Sequence, residues 1–294
     1  MNDPGQARTK ISAAEETSLE LRIGAQTDIG RVRDQNEDRV LVFDLKRYRE
    51  LSAVGTESAS LRRPGVLLVV ADGMGGMSGG ETASQMCVEN LLTLFLEKLD
   101  TPKGDGSMPH PKDTLSDAVK STNDLIFSRA TADMKLKGMG TTLTAALLEE
   151  DHMYVAQVGD SRAYLLRDSQ LTKLTKDQTL LASLEEQGKL PKGGLGKAWK
   201  NMLLQAVGAQ ENLQVAMSET DLHSGDWLLL CSDGLHGPVP AADIEAILKE
   251  NVSPSEKAKL LTQKANDNGG PDNVSVVVCE VFGSPPAGNS GEGR

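Results

Sequence analysis

The chain has 294 residues, 38 % hydrophobic and 25 % charged, enough for one large core under a charged surface. Lys and Arg number 31 against 42 Asp and Glu, and the resulting net charge of −11 repels phosphate backbones and anionic lipid, which excludes nucleic acid and membrane surfaces as default partners. The longest apolar run, 66–71, is far short of the roughly 20 residues of a bilayer span. Nothing in 1–10 resembles a signal core, and three scattered cysteines (Cys87, Cys231, Cys279) argue against a disulfide framework or a thiolate zinc site. A cytoplasmic location is expected.

Residues 1–20 carry little apolar pattern and are expected to form a flexible leader, and 283–294 (GSPPAGNSGEGR) a flexible tail, around one domain spanning 21–282. Short runs rich in Val, Leu and Thr, bounded by Gly or Asp, predict strands at 21–28, 39–43, 66–71, 141–149, 153–158, 163–167, 213–219, 227–231 and 274–282. Helices are predicted at 81–98, where Ala83, Met86, Cys87, Leu91, Leu94 and Phe95 recur at three- and four-residue steps, and at 114–134 through Leu115, Ala118, Val119, Thr122, Leu125 and Ile126. Shorter amphipathic helices fit 178–188, 241–250 and 255–266. Hairpin-linked strands dominate the middle, so a layered α+β fold, antiparallel sheets covered by helix pairs, is expected over a doubly wound sheet. The polar stretch 44–64, with five basic and three acidic residues, reads as a tolerated surface insertion, and 101–112 as a surface loop.

One device repeats. VLLVVADGMGG places Asp72-Gly73 directly after a continuous apolar strand, and WLLLCSDGL does the same with Asp233-Gly234. Each carboxylate would stand at the rim of a core, with a Gly that permits a tight turn and close backbone approach to a ligand. Glu37 and Asp38 enter a strand in GRVRDQNEDRV with Arg33 just before them; Asp160 lies between two strands in QVGDSRAYLL, and Asp272 precedes the last strand in GGPDNVSVVV. Alone, each is a turn, a cap or a solvated charge. Gathered in one cleft they would repel one another and call for cations, and oxygen donors of this kind suit Mg²⁺ or Mn²⁺. The four scattered histidines disfavour zinc.

Six ordered motifs, GAQTDIGRVRDQNEDRV, VVADGMGGMSGGETAS, GMGTTLTAALL, VAQVGDSRAYLLRDSQLTKLTKDQT, LLLCSDGL and GGPDNVSVVV, resemble the type-2C metal-dependent protein phosphatases (the PPM family), in particular their bacterial branch. The resemblance implies a four-layer α/β/β/α sandwich of two antiparallel sheets flanked by helix pairs, with a small flap over about 175–208. It implies a serine/threonine protein phosphatase in which a water bridging two Mn²⁺ or Mg²⁺ ions attacks phosphoserine or phosphothreonine, counteracting bacterial Ser/Thr kinases. By motif position Asp72 bridges both ions, the Gly73 carbonyl ligates one, Asp233 and Asp272 hold the other, Glu37 reaches in through water and Asp38 supports the site. Asp160 corresponds to the ligand of a third, weaker ion, and Arg33 to the arginine that grips the substrate phosphate. The partners implied are phosphorylated proteins and a cognate kinase, and the family implies a monomer.

Where eukaryotic members often carry a His after the first Asp-Gly, this chain has Met74; a metal-bound water is the preferred proton donor, with His236 a lesser candidate. Cys231 is read as packing. In the flap, Lys192, Lys197, Lys200, Gly193, Gly194, Gly196 and Trp199 are either a docking segment for a phosphorylated partner or a solvated loop anchored by Trp199. Two other readings are a catalytically silent phosphoprotein-binding regulator, disfavoured by the intact ligand set, and an anti-sigma-antagonist phosphatase, whose members usually lack the Arg-x-x-x-Glu-Asp element of Arg33 to Asp38.

Overall fold

A computed structural model of the chain describes residues 19–51, 55–75, 79–102, 107–191, 196, 199 and 202–283. The expected leader and tail lie outside the described residues except for Leu19, Glu20 and Gly283, which are strand residues. Lys192, Lys197 and Lys200 of the flap also lie outside them.

The strand β5 (Val66–Met74) organises the molecule. Its apolar run is buried on both sides, and the two faces alternate: Val66, Leu68 and Val70 enter the core between two sheets, whereas Leu67 and Val69 enter a core beneath helices. Burying each such side chain contributes about 1.5–3 kcal/mol, so this strand fixes the register of everything beside it. Its sheet runs β11 (Ala216–Asp221), β8 (His152–Val158), β7 (Leu143–Glu149), β5, β2 (Asp38–Asp44), β3 (Arg49–Glu50), with β6 (Gly140–Thr141) on the end of β5. The second sheet runs β10 (Gln170–Lys173), β9 (Arg162–Arg167), β12 (Trp227–Cys231), β13 (Val274–Gly283), β1 (Leu19–Asp28), β4 (Glu57–Ser60). Every named strand pair is antiparallel.

Helices α1 (Gly79–Leu99) and α2 (Pro111–Ala132) cover the first sheet through Ala83, Cys87, Leu91, Phe95, Leu115, Ala118, Val119 and Ile126. The chain then forms α3 (Leu180–Glu186), a single turn α4 (Asp233–His236), α5 (Ala241–Lys249) and α6 (Pro254–Asp267); residues of α4, α5 and α6 pack on the second sheet through Leu235, Ile244, Leu248, Ala258, Leu261 and Ala265. These are the four α/β/β/α layers expected. Among the described residues no helix is long and apolar enough to cross a membrane.

Two expectations are corrected. Leu125 is 46 % exposed, and the inward position beside Ile126 is taken by Asn123, whose side chain donates to the carbonyls of Gln210 and Glu211 and accepts from Gly208 N–H at 2.8 Å. The segment 44–64 is not only a surface insertion: β3 pairs with β2 in one sheet, β4 with β1 in the other, and Leu51, Ala59 and Leu61 enter the core between them. Three apolar residues spaced through a polar stretch give no periodic signal, because the segment crosses between sheets instead of following one.

Candidate metal centre

Three strand ends meet at one end of the sandwich. Asp72 lies near the end of β5 and is paired across the ladder with Asp38, the first residue of β2. Asp233 opens α4 straight after β12, and Asp272 stands two residues before β13. Arg33, Glu37, Asp72, Gly73, Asp160, Asp233 and Asp272 all line one cleft of about 370 Å³, together with Met74, Gly75, Thr142 and Leu203. Asp38 does not line it but is buried as Asp72's ladder partner, 2 % exposed. Every residue anticipated from the motifs is therefore at this one end.

Neither Asp-Gly is a positive-φ turn: Gly73 continues β5, and Gly234 is helical. Both glycines are required by close approach instead. A Cβ on Gly73 would stand 2.2 Å from the Gly80 carbonyl oxygen, and one on Gly234 1.8 Å from that of Asn273.

Small polar residues hold the frame. Asn273 donates to the carbonyls of Ile29 and Gln35, both at 2.9 Å, and accepts from Glu37 N–H at 2.9 Å, pinning the loop that carries Arg33. Ser232 donates to Asp38 Oδ2 at 2.8 Å, and Ser84 to the Glu37 carbonyl at 2.5 Å. The Asp72 backbone is bonded on both sides, its N–H to Thr142 Oγ1 at 3.0 Å and its carbonyl accepting from Thr142 N–H at 2.8 Å. Each of these residues lies inside a quoted motif, and Ser232 and Asn273 adjoin an acidic residue, whereas Thr142 has no acidic residue near it in sequence to mark its role.

The electrostatics are those of an under-compensated acidic cluster. Burial, then the charges of Asp233 and Asp272, push Asp38 up to about 7. Burial and the charge of Asp233 push Asp160 to about 7. Asp72 is driven well above the ordinary carboxylate range by burial and by Asp38, Asp233 and Asp272; Asp233 and Glu37 are also raised, first by burial. Arg33 is the one basic side chain of the cleft among the described residues, and its Nη2 donates to Asp272 Oδ2 at 2.7 Å, a bond that raises its pKa.

Asp38 Oδ1 and Asp233 Oδ1 are buried without a hydrogen-bond partner among the described residues. A buried carboxylate oxygen left unmatched costs at least about 1–3 kcal/mol, and a divalent cation supplies what is missing. Among the described residues no three His, Cys, Asp or Glu side chains are spaced to hold an ion by themselves. That is compatible with Mg²⁺ or Mn²⁺, which keep several waters and accept backbone carbonyls, so side chains need supply only part of the shell. The all-oxygen donor set fits these hard ions.

His236 is held elsewhere. Its Nε2 meets the Asp160 backbone oxygen at 3.0 Å, it does not line the cleft, and burial lowers its pKa to about 4. A neutral ring with Nε2 engaged on a carbonyl is a poor proton donor. Cys231 is buried in β12 with its thiol pushed up to about 12 by burial, in keeping with a packing role.

A family profile described as protein phosphatase 2C matches residues 57–266. The serine/threonine phosphatase Stp of Listeria innocua is 36 % identical over 264 residues, covering 87 % of this chain and 94 % of the relative. The serine/threonine protein phosphatase PstP of Mycobacterium tuberculosis is 36 % identical over 266 residues, covering 90 % of this chain and 46 % of that longer protein. Among solved structures, the catalytic domain of PstP in complex with two manganese ions superposes with a TM-score of 0.70 at 34 % identity, covering 90 % of this chain and 99 % of that one. A Streptococcus agalactiae serine/threonine phosphatase superposes at 0.74 with 29 % identity, covering 88 % and 99 %. With the ordered motifs, the two-sheet sandwich and the cluster of carboxylates at its end, these matches place the chain in one group: it belongs to the protein phosphatase 2C family.

Proposed function

We propose that this protein is a metal-dependent serine/threonine phosphatase that hydrolyses phosphoserine and phosphothreonine in proteins, with Mn²⁺ or Mg²⁺ as cofactor. The observation that carries the reading is the set of buried, mutually repelling carboxylates beside a single arginine in one cleft. Asp72, the Gly73 carbonyl, Asp233 and Asp272 would hold two ions, with Glu37 acting through water, Asp38 supporting Asp72, and Asp160 serving a third, weaker ion. When bound, the ions lower the pKa of an attacking water and neutralise charge on the phosphate.

The protein's own groups do the rest. Arg33 has five N–H donors and, among the bonds described, uses one on Asp272, which leaves the others available to phosphate oxygens in the cleft that it lines. Ser232 fixes Asp38 through Oδ2 and leaves Oδ1 open. Asn273 holds the loop that carries Arg33 against β13, so phosphate grip and metal ligands share one support. The partners would be phosphorylated proteins and a bacterial-type Ser/Thr kinase whose products it reverses, and it would act as a monomer in the cytoplasm.

The test is hydrolysis of a phosphothreonine peptide by the metal-stripped protein with Mn²⁺, Mg²⁺, Ca²⁺ or Zn²⁺ added back, beside Asp72→Ala. Turnover restored by Mn²⁺ or Mg²⁺ and lost in the variant is expected. Tight Mn²⁺ binding without turnover by the unaltered protein would replace this reading with a silent phosphoprotein-binding regulator.

A further inference from the structure

Asp72, near the end of β5, and Asp160, just after β8, stand at the same end of the sheet on the two neighbours of β7. Between them, just before β7, stands Thr142. Its Oγ1 accepts from Asp72 N–H at 3.0 Å and lies 2.6 Å from Ser161 Oγ, and Ser161 follows Asp160 directly. Thr144, two residues along, donates through its hydroxyl to the Ser161 carbonyl at 2.8 Å. Thr142, Thr144 and Ser161 are 2 %, 0 % and 0 % exposed, so these bonds do not compete with solvent. The turn is also seated on Thr142 sterically: Gly159 has φ +93°, and a Cβ there would meet Thr142 Cγ2 at 2.8 Å. One threonine thus serves two neighbours, its methyl under the Asp160 turn and its hydroxyl bridging that turn to the Asp72 backbone.

We infer that the Thr142–Ser161 hydroxyl pair is a positioning element that couples the two ends of the acidic cleft, so that an ion bound at Asp160 strengthens ion binding at Asp72. The inference rests on the metal-centre reading above and deepens it. Asp72 and Asp160 lie on separate strands, and the hydroxyl pair is the hydrogen-bonded link that runs from the backbone of one to the residue beside the other. Fixing the Asp160 carboxylate would fix the turn and Ser161, and Ser161 in turn holds the hydroxyl on which the Asp72 N–H rests. Coupling of this kind is reciprocal: whatever the Asp160 ion does for the Asp72 ions, they do for it.

The substitutions separate the two services of Thr142. Ser161→Ala removes the link alone, leaving the Asp72–Thr142 bonds and the Thr144–carbonyl bond in place. Thr142→Val keeps the shape and removes the hydroxyl, and Thr142→Ser keeps the hydroxyl. The metal-stripped full-length protein would be titrated calorimetrically with MnCl₂ for wild type, these three variants, Asp160→Asn and the Ser161→Ala/Asp160→Asn double variant, with thermal unfolding in chelator as the folding control. Ser161→Ala is expected to weaken Mn²⁺ binding about 3- to 10-fold, the size of one neutral hydrogen bond. Thr142→Val should weaken it at least as much, and Thr142→Ser should stay near wild type. In the Asp160→Asn background, the effect of Ser161→Ala should fall below about twofold, which is the mark of coupling. Wild-type titration by Ser161→Ala and Thr142→Val, or an equal loss with and without Asp160, would overturn the inference while leaving the metal centre intact. Failure of the wild type to take up Mn²⁺ would remove the metal-centre reading itself, and this inference with it.

Discussion

Two groups of aspartates withdrawn from solvent in this molecule have opposite surroundings. At the far end of β9, Asp226 is 2 % exposed and receives Arg167 Nε and Nη2 at 2.8 and 2.6 Å, while at its start the partly buried Asp177 receives Arg162 Nε and Nη2 at 2.9 and 2.5 Å. Burial raises the pKa of Asp177, but the bonds and charge of Arg162 outweigh it and leave the group below its ordinary value. Behind the cleft, Asp38 is equally buried at 2 %, yet its charged neighbours are other carboxylates, and its pKa is pushed to about 7. Sequence spacing does not separate the two groups, because DG, GD and PD junctions look alike wherever they fall. What separates them is the partner: an arginine fork makes a strut, and a second carboxylate makes a vacancy for positive charge.

Substitution tests that difference most severely in the cleft. Asp233→Asn should cut turnover by more than about a thousandfold, since removing a ligand charge from a two-ion centre removes the activated water. In chelator the same variant should unfold at an equal or higher temperature than wild type, because it relieves repulsion. Asp226→Asn should do the reverse, leaving kcat/KM within about twofold but lowering stability by about 1–3 kcal/mol through the stranded Arg167. Equal destabilisation by both variants would erase the contrast.

The pH response carries a smaller effect. Asp38 and Asp160 rise from the ordinary 3.8 to about 7 on folding, so their protonated forms contribute stability that is fully present below about 4 and lost as pH rises through about 7. In chelator the melting temperature should therefore fall between about pH 5 and 8, and Mn²⁺ should flatten or reverse the fall, because ions bind the deprotonated groups. A chelator profile that rises over this range would contradict the assigned repulsion. The mildest test is Asp160→Asn, which should reduce turnover yet leave tight Mn²⁺ uptake at the remaining carboxylates, read by calorimetry.

Much of this was legible in the chain. The strand through Val66 to Ala71 was visible because it is buried on both faces and so has no polar interruptions. The acidic residues were visible because each follows or precedes such a strand. Less visible were residues whose role depends on three-dimensional neighbours: Thr142 and Asn273 act on segments 70 and more than 230 residues away in sequence. The strands β3 and β4 were missed because each is too short for a period and they belong to different sheets. His236 was weighed as a proton donor on its nearness to Asp233 in sequence, but the single helical turn of α4 carries it away from the cleft, onto the Asp160 carbonyl.

The pairing of β1 with β13, from Leu19 opposite Gly283 to Asp28 opposite Val274, has a consequence for biosynthesis. A ribosome delivers the first of these strands some 250 residues before the second, and until β13 emerges β1 lacks its central neighbour. Asp272 and Asn273, which hold Arg33 and its loop, arrive with that same strand. The cleft therefore cannot assemble until synthesis has passed β13, and a translation product truncated before Asp272 would hold β1, β5 and β12 but lack a ligand carboxylate and the anchor of the Arg33 loop.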